Sequence, residues 1–398
     1  GLRADPAAAG RAVIPPAVAG HVAGLPDDQL PAYVYDLAGL REHATAIRAA
    51  LRDVEWYYAV KANPAAPILR TLAGLVDGFE VASGGELAHV RSVVPDVPVA
   101  FGGPAKTDTE LAAAVGAGVH RIHVESVHEL RRLAAFGRPA EVLLRVNLAL
   151  PTGAAVLTMG GRPSQFGIDP GELDECLAVL RDAPALTWHG IHAHLASGLG
   201  AADQVRLASA VADWAVRHGA AEVNVGGGMA VDYTDPAARY DWPALGAGLR
   251  QIAERTGVRL RVEPGRAVTA HHGWYAASVV DVRRSHGETF ALVSGGTHHL
   301  RTPVAKGHDQ PFGVLATRWD RPWPRPGVTG APVTVAGQLC TPKDVLASRV
   351  PVARLMAGDR VVFGMAGAYA WDISHHDFLM HPRPTFHYLE RQVASQPS

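Results

Sequence analysis

Apolar and polar positions follow two different patterns along this chain, and the change between them divides it. From about residue 38 to 270, apolar runs of strand length alternate with Ala-, Leu- and Arg-rich segments of helical period. The strand-like runs are EWYYAV, DGFEVA, PVAFGG, RIHVES, EVLLRVN, TWHGIHAH, AEVNVGGG and RLRVEPG. Eight such strands predict an α/β fold with a (β/α)8 TIM-like barrel, and an open doubly wound sheet is the alternative.

After about residue 270 the pattern changes to short alternating runs separated by Pro and Gly, such as TFALVSGG, PVTVAGQLC and DRVVFGMAGAY. These runs predict a β domain. The segment PAYVYDLAGL near the N-terminus begins with another short strand. We therefore predict a barrel over residues 38–270 and a β-rich domain formed by residues 1–37 and 271–398.

Composition narrows the class of partner. The 398 residues carry a formal net charge of -1 and no basic cluster, which argues against nucleic acid or an anionic membrane as the partner. Only two cysteines occur, Cys176 and Cys340, so a reducing compartment fits better than a disulfide framework. No apolar run has membrane length. We expect a soluble cytoplasmic protein that acts on a small molecule.

Lys61 is an unusual residue because the chain has only four lysines and this one ends the apolar run WYYAV. Barrel sites lie at the C-terminal ends of strands. A lysine partly desolvated there loses proton affinity and can form a Schiff base with an aldehyde cofactor. The alternative is a strand-end lysine that extends into solvent.

Two further strand ends carry residues suited to a phosphate-bearing ring. In NVGGGM, the backbone N–H groups of Gly226, Gly227 and Gly228 can approach an anion, although a tight turn would use the same residues. In VEPGRAV, Arg266 could pair with a phosphate while Glu263 holds a cationic ring nitrogen. An ordinary ion pair is the alternative for these two.

The stretch GIHAHLASG places His192 and His194 two residues apart. This spacing could indicate a metal site, but no third or fourth ligand stands out, and we expect no metal. A histidine stacked on a flat cofactor, with Ser197 donating to its phosphate, accounts for more of the local sequence.

Together these motifs resemble a known family. The ordered set YYAVKAN, FEVASGGEL, LRVN, SQFGID, HAHLASG, NVGGGM, EPGRA, GQLCTPKDVL and GAYA is similar to the pyridoxal-phosphate decarboxylases of the alanine-racemase-like fold, such as diaminopimelate, ornithine and arginine decarboxylases. The similarity runs from about residue 32 to 380. It implies pyridoxal 5'-phosphate as cofactor, and a homodimer in which the β domain of one subunit completes the active site of the other.

The resemblance also implies residue roles. Lys61 matches the Schiff-base lysine, His194 the ring-stacking histidine and Glu263 the partner of the pyridine nitrogen. The residues that match phosphate contacts are Ser197, Gly226, Gly227, Gly228, Gly265, Arg266 and Tyr369. Glu80 and Arg145 match further residues near the ring. Cys340 matches a catalytic cysteine contributed across the dimer interface, which is thought to protonate the product carbon.

Glu263 favours decarboxylation over racemisation. A carboxylate keeps the pyridine nitrogen protonated, so that the ring accepts electrons well when carbon dioxide departs. Alanine racemases resemble this fold but place an arginine there. A second alternative is not an enzyme: a homologue that has lost its activity and acts by binding other proteins. Such homologues tend to lose the cofactor-binding residues, whereas this chain retains them.

The substrate region departs from the familiar members. Thr341 follows Cys340 where diaminopimelate and ornithine decarboxylases usually have an acidic residue for the distal ammonium. Thr302 and Lys306 stand where diaminopimelate decarboxylases tend to have an arginine and a tyrosine. A locally cationic stretch, suited to a carboxylate-rich substrate, comprises His298, His299, Arg301 and Lys306.

The ending AWDISHHDFLMHPRPTFHYL resembles the branch that serves secondary metabolism, including siderophore decarboxylases that act on a citryl conjugate of an amino acid. We therefore expect a substrate like citryl-diaminopropionate, with diaminopimelate, lysine or ornithine as the alternative. The candidate substrate-binding residues are Thr341, Asp344, His298, His299, Arg301, Lys306 and His381. His375, His376 and Arg383 are further candidates for the same pocket.

Overall fold

A computed structural model describes residues 12, 14–150, 162–301, 303 and 307–390. Its helices are α1 (Pro16–Gly24), α2 (Leu37–Ala50), α3 (Ala66–Ala73), α4 (Gly84–Val93), α5 (Asp108–Gly116), α6 (Val127–Ala135), α7 (Leu173–Arg181), α8 (Ala201–Arg217), α9 (Trp242–Thr256) and α10 (Arg266–Thr269). Within the described ranges, none of these helices has the length and apolar character needed to cross a membrane.

The strands are β1 (Ala32–Asp36), β2 (Glu55–Ala59), β3 (Gly78–Val81), β4 (Val99–Phe101), β5 (Arg121–Val124), β6 (Ala140–Arg145), β7 (Leu186–His192), β8 (Glu222–Asn224), β9 (Arg259–Val262), β10 (Gly273–Ser285), β11 (Glu288–Val293), β12 (Phe312–Leu315), β13 (Gly327–Ala336), β14 (Val345–Met356), β15 (Arg360–Phe363) and β16 (Thr385–Leu389). They belong to two compact units. One unit comprises Arg41–Ala230 and Tyr240–Val268, and the other comprises Gly1–Leu40, Val231–Arg239 and Thr269–Ser398, as far as these ranges are described.

Strands β2 to β9 form a closed parallel barrel in sequence order, and β2 pairs with β9 to close it. Helices α3 to α9 each connect two consecutive strands. The eight strands coincide with the eight apolar runs, so the predicted barrel is confirmed and the open sheet is wrong. The runs are apolar because strands such as β3 and β4 are buried along their whole length.

Side-chain caps start several of the barrel helices directly after the strands. Ser83 accepts a hydrogen bond from the Glu86 backbone at the start of α4, and Ser126 does the same for α6. Thr107 and Glu110 form a reciprocal capping box on α5. Each cap stabilises its helix by about 1 kcal/mol and fixes where the chain turns away from the end of the strand.

The N-terminal edge of the barrel contains a buried charge network. The Glu222 carboxylate accepts from Arg121 Nη2 at 2.8 Å and lies 2.5 Å from Arg261 Nη1, and Arg261 also pairs with Glu55. These residues belong to strands β2, β5, β8 and β9. The network therefore ties together strands that are far apart in sequence, at the end of the barrel opposite to the strand C-termini.

The second unit is a mixed sheet of eight strands. Its main path runs β12-β15-β10-β11-β13-β14, while β1 pairs antiparallel with β10 and parallel with β16. Its apolar core contains Val18, Val22, Val34, Trp274, Ala276 and Val362. The strand predicted near the N-terminus thus belongs to this β-rich unit, in which chain segments from both ends pack together.

Candidate active site

Lys61 lies two residues beyond the end of β2, in the short 3-10 segment Val60–Ala62 that follows the strand directly. Its Nζ is 3.7 Å from Oε2 of Glu80, which belongs to the neighbouring strand β3. The Lys61 side chain is 53% exposed. This exposure differs from the desolvated environment expected from the sequence, because the lysine extends from the turn rather than from the buried strand.

Glu80 is buried beside this lysine, with 6% of the residue exposed. Burial raises the pKa of its carboxyl to about 7; the Lys61 charge opposes this shift, whereas the Glu263 charge adds to it. The carboxyl of Glu80 can therefore gain or lose a proton near neutral pH while it remains within reach of Lys61.

We predict that Glu80→Gln changes how stability depends on pH. Between the ordinary pKa of 4.5 and about 7, the unfolded wild-type chain releases the Glu80 proton while the folded chain keeps it. The stability of the cofactor-free wild type therefore falls as pH rises through this window, and the variant lacks that loss. Urea unfolding measures the free energy of unfolding of both proteins at pH 5 and at pH 7.5. From the lower to the higher pH, the difference between variant and wild type should shift in favour of the variant by on the order of 1–3 kcal/mol. Other carboxyls cancel in this difference, and a gap that does not change with pH would contradict the prediction.

Glu263 follows β9 at the same end of the barrel and is 6% exposed. Its Oε1 lies 2.6 Å from Nε2 of His192, the last residue of β7. Its Oε2 is buried and has no hydrogen-bond partner among the residues that the structure describes. A buried carboxylate oxygen without a partner is costly unless a ligand supplies a donor, so this atom fits the ring nitrogen of the expected cofactor.

His192 and His123 form a stacked pair inside the barrel, with ring centres 4.3 Å apart. Burial lowers the pKa of both imidazoles well below the ordinary value, so both are uncharged at neutral pH. His123 was not predicted from the sequence, although a histidine at a buried position of strand β5, between Ile122 and Val124, was a usable signal.

One nitrogen of His123, one of His192 and one Glu263 oxygen lie within 4.8 Å of one another, a grouping that could hold a metal ion. The 2.6 Å distance between His192 Nε2 and Glu263 Oε1 is that of a direct hydrogen bond, which favours a histidine that holds the carboxylate over a metal ligand.

His194 lies in the loop after β7, and Ser197 Oγ is 3.4 Å from its Nε2. Burial lowers the pKa of His194 to about 4, and the charges of Lys61 and Arg145 add to this effect. The imidazole is therefore neutral at physiological pH. A flat, neutral ring at this position can cover one face of an aromatic cofactor without placing another positive charge beside it.

The three glycines after β8 are required by close packing. A Cβ on Gly226 would lie 2.6 Å from Nδ1 of His194, and one on Gly227 would lie 2.5 Å from the Glu263 carbonyl oxygen. Gly228 has a φ of +92°, and its Cβ would lie 2.3 Å from a backbone oxygen in the loop after β7. The glycine turn therefore brings the loops after β7, β8 and β9 together around His194 and Glu263.

Arg145 ends β6, and its Nη1 is 3.4 Å from Oε2 of Glu125, which follows β5. The guanidinium carbon also lies 5.1 Å from the centre of the Phe166 ring. The Gly167 N–H donates to the other oxygen of Glu125 at 2.9 Å. Glu125 was not predicted from the sequence. Its buried carboxylate nevertheless holds the side chain of Arg145, which was predicted.

Gly265 and Arg266 follow Glu263 directly. A Cβ on Gly265 would lie 2.8 Å from the Cβ of Ala62, so this glycine allows the loop after β9 to pack beside Lys61. Arg266 is half-buried and begins the short helix α10. The barrel unit thus gathers the predicted residues Lys61, Glu80, Arg145, His194, Ser197, Gly226, Gly227, Gly228, Glu263, Gly265 and Arg266 on the loops and strand ends of its C-terminal edge.

The remaining predicted residues lie in the second unit. Cys340 is an exposed free thiol, and Tyr369 is half-buried with a φ of +49°. Asp344 is 2% exposed, and its carboxylate accepts from the Thr297 N–H at 2.7 Å and from the Leu339 N–H at 2.7 Å. This arrangement favours a role in holding two loops together over the substrate contact predicted for Asp344.

His298 and His299 are buried, and burial lowers the pKa of both, that of His299 to about 3. The cationic character expected of this stretch therefore does not extend to these two residues. His299 Nδ1 lies 2.9 Å from the Tyr275 hydroxyl, whereas both ring nitrogens of His298 are buried without a hydrogen-bond partner in the described ranges.

The other predicted substrate residues have varied surroundings. Arg301 is exposed and donates to the carbonyl of Ile373 at 3.3 Å. The His381 ring centre is 5.3 Å from that of His298, and Thr341 accepts from the Lys343 N–H at 3.3 Å. The further candidates His376 and Arg383 pack against the Trp371 ring, and His375 accepts from the Phe378 N–H through its carbonyl. Lys306 and Thr302 lie outside the described residues.

Comparisons with known proteins agree with this geometry. The model of the family described as "Pyridoxal-dependent decarboxylase, pyridoxal binding domain" matches residues 37–270. The chain is 41% identical to the 2-[(L-alanin-3-ylcarbamoyl)methyl]-2-hydroxybutanedioate decarboxylase of Staphylococcus aureus, over 90% of this chain and 93% of the relative. It is 32% identical to the diaminopimelate decarboxylase of Deinococcus radiodurans, over 89% of this chain and 88% of the relative.

Among solved structures, the lysine/ornithine decarboxylase of Vibrio vulnificus complexed with putrescine superposes with a TM-score of 0.78. That likeness covers 95% of this chain and 99% of the other at 21% identity, and it shows the fold. The matched family, the relatives and the fold agree with the expected alanine-racemase-like architecture and with pyridoxal phosphate as the cofactor. The chain belongs to the pyridoxal-dependent decarboxylase family and is a pyridoxal-phosphate-dependent amino-acid decarboxylase.

Proposed function

We propose that this enzyme decarboxylates an amino acid conjugated through its side chain to a carboxylate-rich acid, as in citryl-diaminopropionate, within the biosynthesis of a siderophore or another secondary metabolite. The observation that carries the proposal is the 41% identity, over nine-tenths of the chain, to the Staphylococcus aureus decarboxylase. The name of that enzyme describes an alanine unit joined at its third carbon, through a carbamoyl group, to a hydroxybutanedioate.

Thr341 supports this choice of substrate over a free diamino acid. A hydroxyl cannot form the charge-assisted bond that a carboxylate forms with a distal ammonium. The amide nitrogen of a conjugated substrate has no such charge, so it needs no acidic partner. Arg301, whose side chain is exposed, is the charged residue that we propose for the carboxylates of the conjugate.

We propose roles for the barrel residues that follow from their chemistry. Bound pyridoxal phosphate supplies the electron sink that accepts the electron pair released when carbon dioxide leaves. Lys61 would hold the cofactor through its aldehyde, and Glu263 Oε2 would accept from the ring N–H. His194 would cover one ring face. The barrel residues proposed to hold the phosphate are Ser197, Gly226, Gly227, Gly228, Gly265 and Arg266.

We further propose a homodimer in which Cys340 of one subunit donates the proton to the product carbon in the active site of the other. The exposed free thiol is available for such a role. Mixing Lys61→Ala subunits with Cys340→Ala subunits tests the arrangement, because a hybrid dimer would contain one intact site. Mixtures that remain as inactive as either variant alone would contradict the shared site.

Substrate choice can be measured with a panel of amino acids. We expect kcat/KM for the citryl conjugate of diaminopropionate to exceed that for diaminopimelate, lysine and ornithine by about 10²-fold or more, because the free diamino acids find no anionic partner at Thr341. Carbon dioxide release measures all four substrates. We also expect Thr341→Asp to narrow this ratio by lowering turnover of the conjugate. Efficient turnover of diaminopimelate with none of the conjugate would overturn the proposal.

A further inference from the structure

The Glu263 carboxylate forms a hydrogen bond with His192, a residue for which the proposed function gives no role. His192 and Glu263 are 4% and 6% exposed, and the 2.6 Å contact between Nε2 and Oε1 connects the ends of strands β7 and β9. The Glu263 backbone is held separately, because its N–H donates to the Gly226 carbonyl at 2.8 Å. The orientation of the carboxylate therefore depends on His192, whereas the position of its backbone does not.

The proton in this contact belongs to the imidazole. Burial keeps His192 neutral, so the ring carries a single N–H. Nδ1 is buried and has no hydrogen-bond partner among the described residues, whereas Nε2 faces a carboxylate oxygen that can only accept when ionised. A proton on Nδ1 would leave two lone pairs facing each other at Nε2, so the stable tautomer has its proton on Nε2.

We infer that His192 is a positioning residue that donates its Nε2–H to Glu263 Oε1 and directs Oε2 toward the cofactor ring nitrogen. A donor to one carboxylate oxygen stabilises the anion and reduces its tendency to take the proton of the ring nitrogen. His192 thereby helps the cofactor to stay protonated and to act as an electron sink. The inference rests on the role proposed above for Glu263.

A further layer of residues fixes the plane of the His192 ring. His123 stacks on it at an angle of 23°. The backbone carbonyl of His123 accepts from Nζ of Lys106, which also donates to the Gly103 carbonyl and to Glu129, both at 2.8 Å. Lys106 and Glu129 are buried, so this support is held in place away from solvent. The imidazole can therefore offer its N–H in one direction.

Two variants distinguish the effect of losing the His192 hydrogen bond from the effect of losing the volume of its side chain. His192→Gln retains a donor at a similar distance from the backbone, whereas His192→Met has similar length and no donor. Each holoenzyme is loaded with pyridoxal phosphate carrying nitrogen-15 in the ring, and the chemical shift of that nitrogen reports its protonation. The dissociation constant of the cofactor from each apoprotein is measured by equilibrium dialysis.

For His192→Met we expect a ring-nitrogen shift displaced toward the unprotonated form and a cofactor dissociation constant raised about 10- to 100-fold. For His192→Gln we expect the wild-type nitrogen shift and a dissociation constant within about threefold of wild type. If His192→Met does not fold, His192→Leu provides the same comparison.

A wild-type nitrogen shift in the donor-free variant would overturn the inference, and so would equal losses in both variants. Glu263→Gln separates this failure from that of the Glu263 role. If that change also leaves the ring nitrogen protonated as in wild type, Glu263 does not face the ring, and the error lies in the role proposed for it. If Glu263→Gln shifts the signal and His192→Met does not, the inference about His192 alone fails.

Discussion

Lys61→Ala is expected to abolish covalent attachment of the cofactor and to lower kcat/KM by at least about 10³-fold. The reason is that the role proposed for the Lys61 amine is to form the bond to the cofactor aldehyde, and alanine has no nucleophile. The family match to residues 37–270 includes this position, and the lysine extends toward Glu80 from the C-terminal edge of the barrel. Borohydride reduction followed by peptide mass spectrometry locates the linkage, and visible absorption shows whether it forms.

Lys61→Arg provides the matched control for this prediction. Arginine keeps a positive charge near Glu80 but stays protonated, so it cannot attack an aldehyde. Both variants should therefore lose the linkage, although the arginine variant should preserve more of the electrostatic environment. Modification of another lysine in the reduced wild type, or near-normal turnover in either variant, would contradict the role of Lys61.

Glu222→Gln is expected to lower the free energy of unfolding by about 3–5 kcal/mol, because it leaves two buried arginines without their shared anion. Burial alone would raise the pKa of Glu222, but the hydrogen bonds from Arg121 and the charge of Arg261 outweigh it and lower the pKa. After the change, Arg261 keeps the Glu55 carboxylate as its partner in the network, and Arg121 loses its ion pair with residue 222. Urea unfolding at neutral pH measures the difference.

An exposed ion pair in the same barrel unit is the control. Glu175 and Arg131 are joined at 2.8 Å, but their side chains are 53% and 60% exposed. Glu175→Gln is the same chemical change at a hydrated site, and we expect it to alter the free energy of unfolding by no more than about 0.5 kcal/mol. Equal effects of the two substitutions would show that the buried network does not stabilise the barrel.

The barrel could be predicted from the sequence because its signals are local. Each of its strands overlaps an apolar run, and several helices begin at a Ser or Thr whose side chain caps the first turn. The residues at strand ends were recognisable for the same reason. A lysine, a glycine triplet and a glutamate each interrupt a local pattern at the edge where a barrel places its chemistry.

The surroundings of those residues could not be predicted in this way. The sequence suggested that Lys61 was desolvated, that His298 and His299 were cationic and that Asp344 met the substrate. The structure shows an exposed lysine, two neutral buried histidines and a carboxylate occupied by backbone donors. Burial and partner choice depend on what the rest of the chain places nearby, and a short stretch of sequence does not contain that information.

The sequence by itself determined the alternation of strands and helices, the order of the motifs and the identity of the groups at the C-terminal edge of the barrel. Only the tertiary structure decided which of them meet. His192 and Glu263 are 71 residues apart, and His123 reaches His192 across the barrel interior. Their contact depends on barrel closure and strand register, which set side-chain distances to within a few tenths of an ångström, the scale on which a hydrogen bond forms or fails.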